Sequence, residues 1–118
     1  MGNAILSRYP LAEVSNALLP RLPSTKQRSL LCATLTSGPL TDLAVFVTHL
    51  DHAFEGTRLF QIKGVLRRMA ARSQGRPHFL MGDFNTPGFL GARTPHLIPP
   101  VLQVMRDAGY RDAFQSVG

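Results

Sequence analysis

Two short stretches of the sequence place polar residues directly after apolar runs. The segment from Val47 to Asp51 reads V-T-H-L-D, and the segment from Met81 to Asn85 reads M-G-D-F-N. A carboxylate can bind a metal ion or orient a water molecule, and a carboxamide can donate a hydrogen bond to a developing oxyanion. An imidazole can protonate a leaving oxygen or hold a phosphate oxygen near neutral pH. His49, Asp83 and Asn85 are therefore candidate catalytic residues for phosphoryl chemistry.

Each of these residues also has a purely structural interpretation. Asp83 and Asn85 are two residues apart, so on an extended segment both side chains would point the same way, and Gly82 would permit a turn or a close backbone approach. At the end of a strand, however, Asp and Asn often bond their own backbone in a turn. A lone histidine such as His49 is also commonly structural. Residue types alone leave both interpretations open.

The run His49-Leu50-Asp51-His52 is similar to half of the zinc motif of metallo-β-lactamases. That motif requires another histidine where this chain has Val47, and on a strand His49 and His52 would face opposite sides. The sequence contains no G-x-S-x-G nucleophile motif, no P-loop and no C-x-x-C pair. These patterns disfavour zinc hydrolysis and the common nucleophilic mechanisms.

The elements that position these residues follow from the hydrophobic pattern. Apolar runs bounded by Pro, Gly and Ser predict an antiparallel meander of strands at Asn3–Ser7, Glu13–Leu19, Leu30–Thr36 and Leu43–Thr48. A period of three to four residues then predicts a helix from Thr57 to Arg72, ended by Gly75. A strand at His78–Met81, a polar loop and a helix from about Pro100 to Ala108 follow. The predicted fold class is α+β.

Composition and charge set limits on the kind of protein. The 118 residues fit one domain, and the net charge of +6 should attract polyanions such as nucleic acid or acidic lipid headgroups. Arg67, Arg68 and Arg72 gather near the end of the predicted helix, where they suit the helix dipole or form a polyanion-binding surface. A single cysteine, Cys32, in an apolar run favours a buried thiol and a reducing, intracellular compartment. No signal peptide or membrane span is expected, so we predict a soluble chain.

The constellation of motifs resembles the endonuclease/exonuclease/phosphatase superfamily, which includes deoxyribonuclease-like nucleases, sphingomyelinases and inositol polyphosphate phosphatases. The G-D-F-N run at residues 82–85 matches the hallmark strand end of that family, and the T-H-L-D run at residues 48–51 matches an earlier strand. The segment from Gly2 to Pro10 looks like a mid-domain strand of the family. The helix that carries Arg58 and Gln61 is similar to its linker helix, and the segment from Gly109 to Ala113 resembles its counterpart after the loop.

The resemblance implies a partial two-sheet sandwich of the deoxyribonuclease-like type, mainly antiparallel with covering helices. It implies hydrolysis of a phosphate ester, in nucleic acid or a phospholipid headgroup, with Mg²⁺ or alternatively Mn²⁺. Asp83 corresponds to the carboxylate that orients water or contacts metal. Asn85 corresponds to the partner that stabilises the transition state and contacts metal and phosphate, and His49 to the histidine that contacts phosphate or protonates the leaving group.

The sequence also departs from the family pattern. The resemblance implies upstream strands that carry a metal-binding glutamate and a downstream Ser-Asp-His segment, and residues 1–118 contain neither. Glu13 and Glu55, the only glutamates, do not match the position of the metal ligand. We therefore expect residues 1–118 to be the central to C-terminal part of a domain, with an incomplete active site. A sheet with exposed edges would favour self-association or a partner. The alternative function is a catalytically inactive module that binds polyanions.

Overall fold

The described residues form one four-stranded sheet with two helices packed on one of its faces. The computed structural model describes residues 2–23, 25–85 and 99–113, so most of the polar loop predicted after Asn85 lies outside the described residues. Its elements in chain order are β1 (Leu11–Leu18), β2 (Ser29–Leu35), β3 (Ala44–His49), α1 (Glu55–Ser73), β4 (His78–Asp83) and α2 (Pro100–Asp107). The α+β class is confirmed.

The sheet is mixed rather than a simple meander. The strand order is β1-β2-β3-β4. The pairs β1–β2 and β2–β3 are antiparallel, whereas β3 and β4 are parallel. The parallel pair arises because α1 carries the chain from the end of β3 back to the start of β4. The ends of two neighbouring strands, and the residues that follow them, therefore meet at one edge of the sheet.

The predicted first strand, Asn3–Ser7, is wrong. These residues are irregular, no described strand pairs with them, and the Leu6 side chain is 97% exposed. An apolar run forms a strand only where a neighbouring strand satisfies its backbone groups, and β1 pairs with β2 alone among the described strands. The meander therefore has three strands instead of the four that the pattern predicted.

The core lies between α1, α2 and one face of the sheet. Cys32 on β2 and Phe46 on β3 are cross-strand partners, and they belong to the same buried cluster as Ile62, Val65 and Met69 of α1. Val101 of α2 completes this cluster. Cys32 is buried as predicted, and this burial raises the pKa of its thiol; the nearby guanidinium of Arg72 opposes that shift. Among the described helices, none has the length and apolar character needed to cross a bilayer.

Neither of the two described helices packs on the opposite face of the sheet. Because side chains alternate along a strand, Val45 and Val47 on β3 and Phe79 and Met81 on β4 point away from the face that bears Phe46. We call this the helix-free face; it also includes Leu18 at the end of β1. Leu18, Phe79 and Met81 are 63%, 57% and 50% exposed. Large apolar side chains at such exposure are typical of a surface that packs against another element.

Specific contacts hold the chain before α1 and after both helices. The side chain of Asp51 closes a turn before α1, because its Oδ2 accepts hydrogen bonds from the backbone N–H of Ala53 at 3.2 Å and of Phe54 at 2.8 Å. Phe54, the N-cap residue of α1, contributes no side-chain hydrogen bond. At the other end of α1, Gln74 adopts the left-handed conformation immediately before Gly75. Beyond α2, the Tyr110 hydroxyl lies 2.6 Å from His78 Nε2 at the start of β4, and burial raises the pKa of the Tyr110 phenol.

Candidate active site

His49 and Asp83 lie side by side at the carboxyl ends of β3 and β4. They are register partners in the parallel pair, and His49 Nε2 is 3.6 Å from Asp83 Oδ2. This distance is too long for a hydrogen bond but short enough for an ion contact when the imidazole is protonated. The side chain of His49 is 29% exposed and that of Asp83 is 64% exposed. The pair is therefore accessible to a ligand from solvent.

Gly82 makes this approach of the two strands possible. It pairs with Thr48, and a Cβ atom on Gly82 would lie 1.8 Å from the Thr48 carbonyl oxygen. Its φ of 141° is also one that L side chains rarely adopt. Of the two roles predicted for this glycine, the structure shows the close backbone approach. The next residue, Asp83, is thereby brought beside His49.

Asn85 is fixed against the end of β3. Its φ of 49° is left-handed, a conformation that asparagine tolerates better than most residues. Its side-chain Nδ2 donates a hydrogen bond of 2.7 Å to the carbonyl of Leu50, and its backbone N–H donates one of 2.8 Å to Asp83 Oδ1. The strand ends at Asp83 and Asn85 adopts a left-handed conformation, so the extended segment predicted from Asp83 to Asn85 is wrong. Both side chains nevertheless contact the end of β3, Asp83 at His49 and Asn85 at Leu50.

The two interpretations of the G-D-F-N run coexist in this geometry. Asp83 Oδ1 is used in the local turn with Asn85, while Oδ2 faces His49. Leu50 links both residues to β3, since its N–H donates to the Asp83 carbonyl and its own carbonyl accepts from Asn85. The structure therefore brings the three predicted residues together, and the turn contacts hold them in position.

Buried hydrogen bonds hold the segment that follows β3 in position next to the candidate site. Gln61 on α1 is fully buried; its Oε1 accepts a hydrogen bond of 2.8 Å from the N–H of Asp51, and its Nε2 donates one of 2.9 Å to the Pro20 carbonyl. Arg58 Nη1 also donates to the Asp51 carbonyl at 3.3 Å. These bonds tie Asp51 to α1 and to the segment that follows β1.

In the sequence, Gln61 is recognisable only as part of a helix similar to one of the family. A usable signal was present, because Gln61 precedes Val65 and Met69 by four and eight residues and so shares their buried face. A polar residue on the apolar face of a helix needs a hydrogen-bonding partner. In the fold, the partner groups are the backbone of Asp51 and Pro20.

A polar cleft adjoins His49 on the side of β2. It is lined by Gly2, Asn3, Gln27, Arg28, Ser29 and His49. Asn3, to which the sequence analysis gave no chemistry, donates from Nδ2 to the carbonyls of Ser29 at 2.9 Å and Val47 at 3.2 Å. Asn3 thus fastens the N-terminal segment across the ends of β2 and β3 and forms one wall of the cleft.

The described residues do not by themselves form a complete magnesium site. No group of three or more His, Cys, Asp or Glu side chains among them is arranged to hold a metal ion. Mg²⁺ prefers near-octahedral coordination by oxygen. Asp83 Oδ2 and the carboxamide oxygen of Asn85 have the right chemistry, but they are only part of such a ligand set. The assignment of Asp83 and Asn85 as metal ligands stays a prediction.

Of the three arginines near the end of α1, Arg72 makes hydrogen bonds to the sheet. Arg72 donates hydrogen bonds to the Glu13 carbonyl, to Ser15 Oγ at 3.2 Å and to Thr34 Oγ1 at 3.2 Å. Its Nη2 also lies 3.7 Å from Glu13 Oε2. Arg72 therefore holds α1 to β1 and β2, and this engagement argues against the polyanion-binding interpretation for Arg72. Arg67 and Arg68 remain exposed on α1.

Comparison with known proteins places the chain in a family. The model of the endonuclease/exonuclease/phosphatase family matches residues 1–109, so the chain belongs to this family. No curated protein matches the chain significantly. Among solved structures, it is similar to an endonuclease/exonuclease/phosphatase family protein from Bacteroides thetaiotaomicron, with a TM-score of 0.56 and 18% sequence identity. The match covers 65% of this chain and 31% of that chain, and it supports the partial sandwich fold.

Proposed function

We propose that this chain contributes part of the active site of a phosphoric-ester hydrolase. The observation that carries the proposal is the pairing of His49 and Asp83, 3.6 Å apart at the ends of two parallel strands, with Asn85 held beside them. Membership of the endonuclease/exonuclease/phosphatase family supports the reaction class. An imidazole, a carboxylate and a carboxamide at one exposed strand edge suit the attack of water on phosphorus.

Each residue has a distinct proposed role. His49 holds a phosphate oxygen or protonates the leaving oxygen, because an imidazole can carry a proton near neutral pH. Asp83 orients the attacking water through Oδ2, since its Oδ1 is engaged with the backbone of Asn85. The carboxamide of Asn85 contacts the phosphate; its Nδ2 already donates to Leu50, so this contact requires the amide to exchange or share that bond.

The proposed cofactor is a divalent metal ion, Mg²⁺ or alternatively Mn²⁺. Asp83 and Asn85 would supply oxygen ligands, and the ion would neutralise charge that develops on the phosphate. The proposed substrate is a phosphate ester in nucleic acid or in a phospholipid headgroup. The net charge of +6 favours either polyanionic substrate through long-range attraction.

We also propose that the chain forms the central to C-terminal part of a larger domain. The match to the Bacteroides protein covers 31% of that chain, and the helix-free face leaves Phe79 and Met81 half exposed.

Without a covering sheet, the chain should self-associate through this face or the sheet edges. Sedimentation velocity should show oligomers that the double variant Phe79→Ser, Met81→Ser reduces. An equally oligomeric double variant would exclude the helix-free face as the contact.

The proposed function is tested by replacing His49 with glutamine. Hydrolysis of bis(p-nitrophenyl) phosphate with added Mg²⁺ should fall by about 100-fold or more, since a positioned acid or base contributes about 10²- to 10⁴-fold. The assay should use this chain and an in-frame extended chain, because the active site is proposed to be incomplete. His52→Gln is the matched control: His52 is exposed, lies three residues further along, and should leave turnover unchanged.

The alternative function, a catalytically inactive polyanion-binding module, rests on the exposed Arg67 and Arg68. It predicts salt-sensitive nucleic-acid binding that is lost in Arg67→Gln, Arg68→Gln and unaffected by changes at His49 or Asp83. If neither the chain nor its extended form hydrolyses phosphodiesters, and both bind nucleic acid in this way, the binding module replaces the hydrolase.

A further inference from the structure

A cavity that the hydrolase proposal does not use lies between α1 and the sheet. Its volume is about 300 Å³, and its sheet wall is formed by Ser15, Ala17, Leu30, Cys32 and Phe46. Ser15 pairs with Cys32 and Ala17 with Leu30, so small side chains of β1 stand beside core residues of β2. Because the side chains of Ser15 and Ala17 are small, space remains between β1 and α1.

The cavity and the candidate active site lie on opposite faces of the sheet. Phe46 and His49 are three residues apart on β3, so their side chains point to opposite faces. Asp83 is the register partner of His49, whereas Phe46 belongs to the core beneath α1. A ligand in the cavity would therefore bind without contacting the His49–Asp83 pair.

The interior of the cavity suits an apolar group. Leu30, Cys32 and Phe46 are all buried. Burial raises the pKa of the Cys32 thiol, so this side chain is neutral at physiological pH. A cavity of about 150 Å³ lined by Leu, Ile and Phe accepts benzene, and ligand pockets begin at about 300 Å³. The space therefore fits a small hydrocarbon body.

The rim of the cavity on α1 is positively charged. It is formed by Arg68, Ala71 and Arg72, and the two arginines lie one turn apart on the same side of the helix. Arg72 Nη1 donates to Ser15 Oγ at 3.2 Å, which places this guanidinium at the rim, and its Nη2 lies 3.7 Å from the Glu13 carboxylate. Arg68 is exposed, and its side chain has no hydrogen-bond or ion-pair partner among the described residues. Within the described part of the chain, Arg68 therefore gives the rim an unpaired positive charge.

We propose that this cavity binds a small amphiphilic carboxylate, with its hydrocarbon body against Cys32 and Phe46 and its carboxylate at Arg68. An arginine fork matches the two oxygens of a carboxylate. The pairing of Arg72 with Glu13 leaves the charge of Arg68 to be neutralised, which favours a monoanion over a multiply charged phosphate. The apolar wall favours a ligand with a hydrocarbon body over a small hydrophilic anion. The inference goes beyond the proposed function, because the ligand does not contact the candidate active site.

The test is an NMR titration of the ¹⁵N-labelled chain with octanoate, and separately with octan-1-ol and with acetate. Octanoate should bind saturably and shift the backbone amide signals of Leu30, Cys32 and Ala71. Octan-1-ol, which lacks the charge, should bind about five-fold more weakly, in line with an exposed ion pair. Acetate, which lacks the hydrocarbon body, should not saturate. Arg68→Gln should raise the Kd for octanoate by about five-fold and leave the Kd for octan-1-ol unchanged.

Matched controls for these measurements come from α1. Arg67→Gln removes the same charge from the neighbouring exposed residue, which does not line the cavity, and should leave the Kd for octanoate unchanged. Ala71→Leu should fill the cavity and abolish saturable binding of both octanoate and octan-1-ol, while leucine preserves the helix propensity of α1. Ala70→Leu adds the same side chain at an exposed position outside the cavity and should bind octanoate as the wild-type chain does. Far-UV circular dichroism confirms that each variant is folded.

Several outcomes would overturn the proposal. These are no saturable binding of octanoate, equal binding of octanoate and octan-1-ol, an equal loss in Arg67→Gln and Arg68→Gln, or unchanged binding in Ala71→Leu. Shifts confined to Phe79 and Met81 would instead place the ligand on the helix-free face. If this chain binds octanoate and the in-frame extended chain does not, a segment of the larger domain occupies the cavity and the ligand site is rejected. The result does not depend on whether the chain hydrolyses phosphodiesters.

Discussion

Replacing Gly82 with alanine should cost the chain about 3 kcal/mol or more of unfolding free energy, because a disallowed φ and an overpacked contact each cost about 1 to 3 kcal/mol. The new Cβ would lie 1.8 Å from the Thr48 carbonyl oxygen, at a φ of 141°. The clash involves backbone on both sides, so no side-chain rotation relieves it. Urea unfolding followed by circular dichroism measures the change.

Gly75→Ala is the matched control for this substitution. Gly75 also has a positive φ, of 80°, but a Cβ there would meet nothing within 4 Å. Its replacement should cost about 1 kcal/mol, from backbone conformation alone. If Gly75→Ala and Gly82→Ala destabilise the chain equally, the close approach of β3 and β4 is not what requires glycine in the G-D-F-N run.

Replacing Asp83 with alanine should lower metal-dependent phosphodiester hydrolysis by about 1,000-fold or more, in the range reached when a positioned acid or base is removed. Two effects combine in this variant. The carboxylate that faces His49 at 3.6 Å is lost, and so is the Oδ1 that accepts the N–H of Asn85. The measurement is steady-state hydrolysis of bis(p-nitrophenyl) phosphate by the extended chain with Mg²⁺ or Mn²⁺.

Asp83→Asn separates the two effects. Its side-chain oxygen can still accept the Asn85 N–H, so the turn and the fold should persist while the negative charge disappears. A large loss of turnover in Asp83→Asn, at unchanged stability, supports a chemical role for the carboxylate. Asp107→Asn, at an exposed position on α2 beside Gln103, should have no effect on turnover. Full activity in Asp83→Asn would leave Asp83 with only its structural role in the turn.

Local patterns determined most of the elements from sequence. The period of three to four residues between apolar positions predicted α1, and short apolar runs predicted β2, β3 and β4. The structure has these elements with slightly different ends. Hydrophobic periodicity is a local property, so short windows are enough to read it. The strand predicted at Asn3–Ser7 failed for the same reason. An apolar run indicates which side chains could be buried, but it does not indicate whether a neighbouring strand is present to pair with it.

The sequence by itself selected the residue types of the candidate site and, through the T-H-L-D and G-D-F-N runs, their resemblance to one family. Only the tertiary structure brought His49 and Asp83 to paired positions, because their distance depends on the parallel crossover through α1. It alone showed that Arg72 is engaged with β1 and β2, that Gln61 supports the site, and that Asn3 lines the same cleft as His49. Each of these contacts joins residues far apart in the chain, and such contacts are set by the packing of whole elements and not by local sequence.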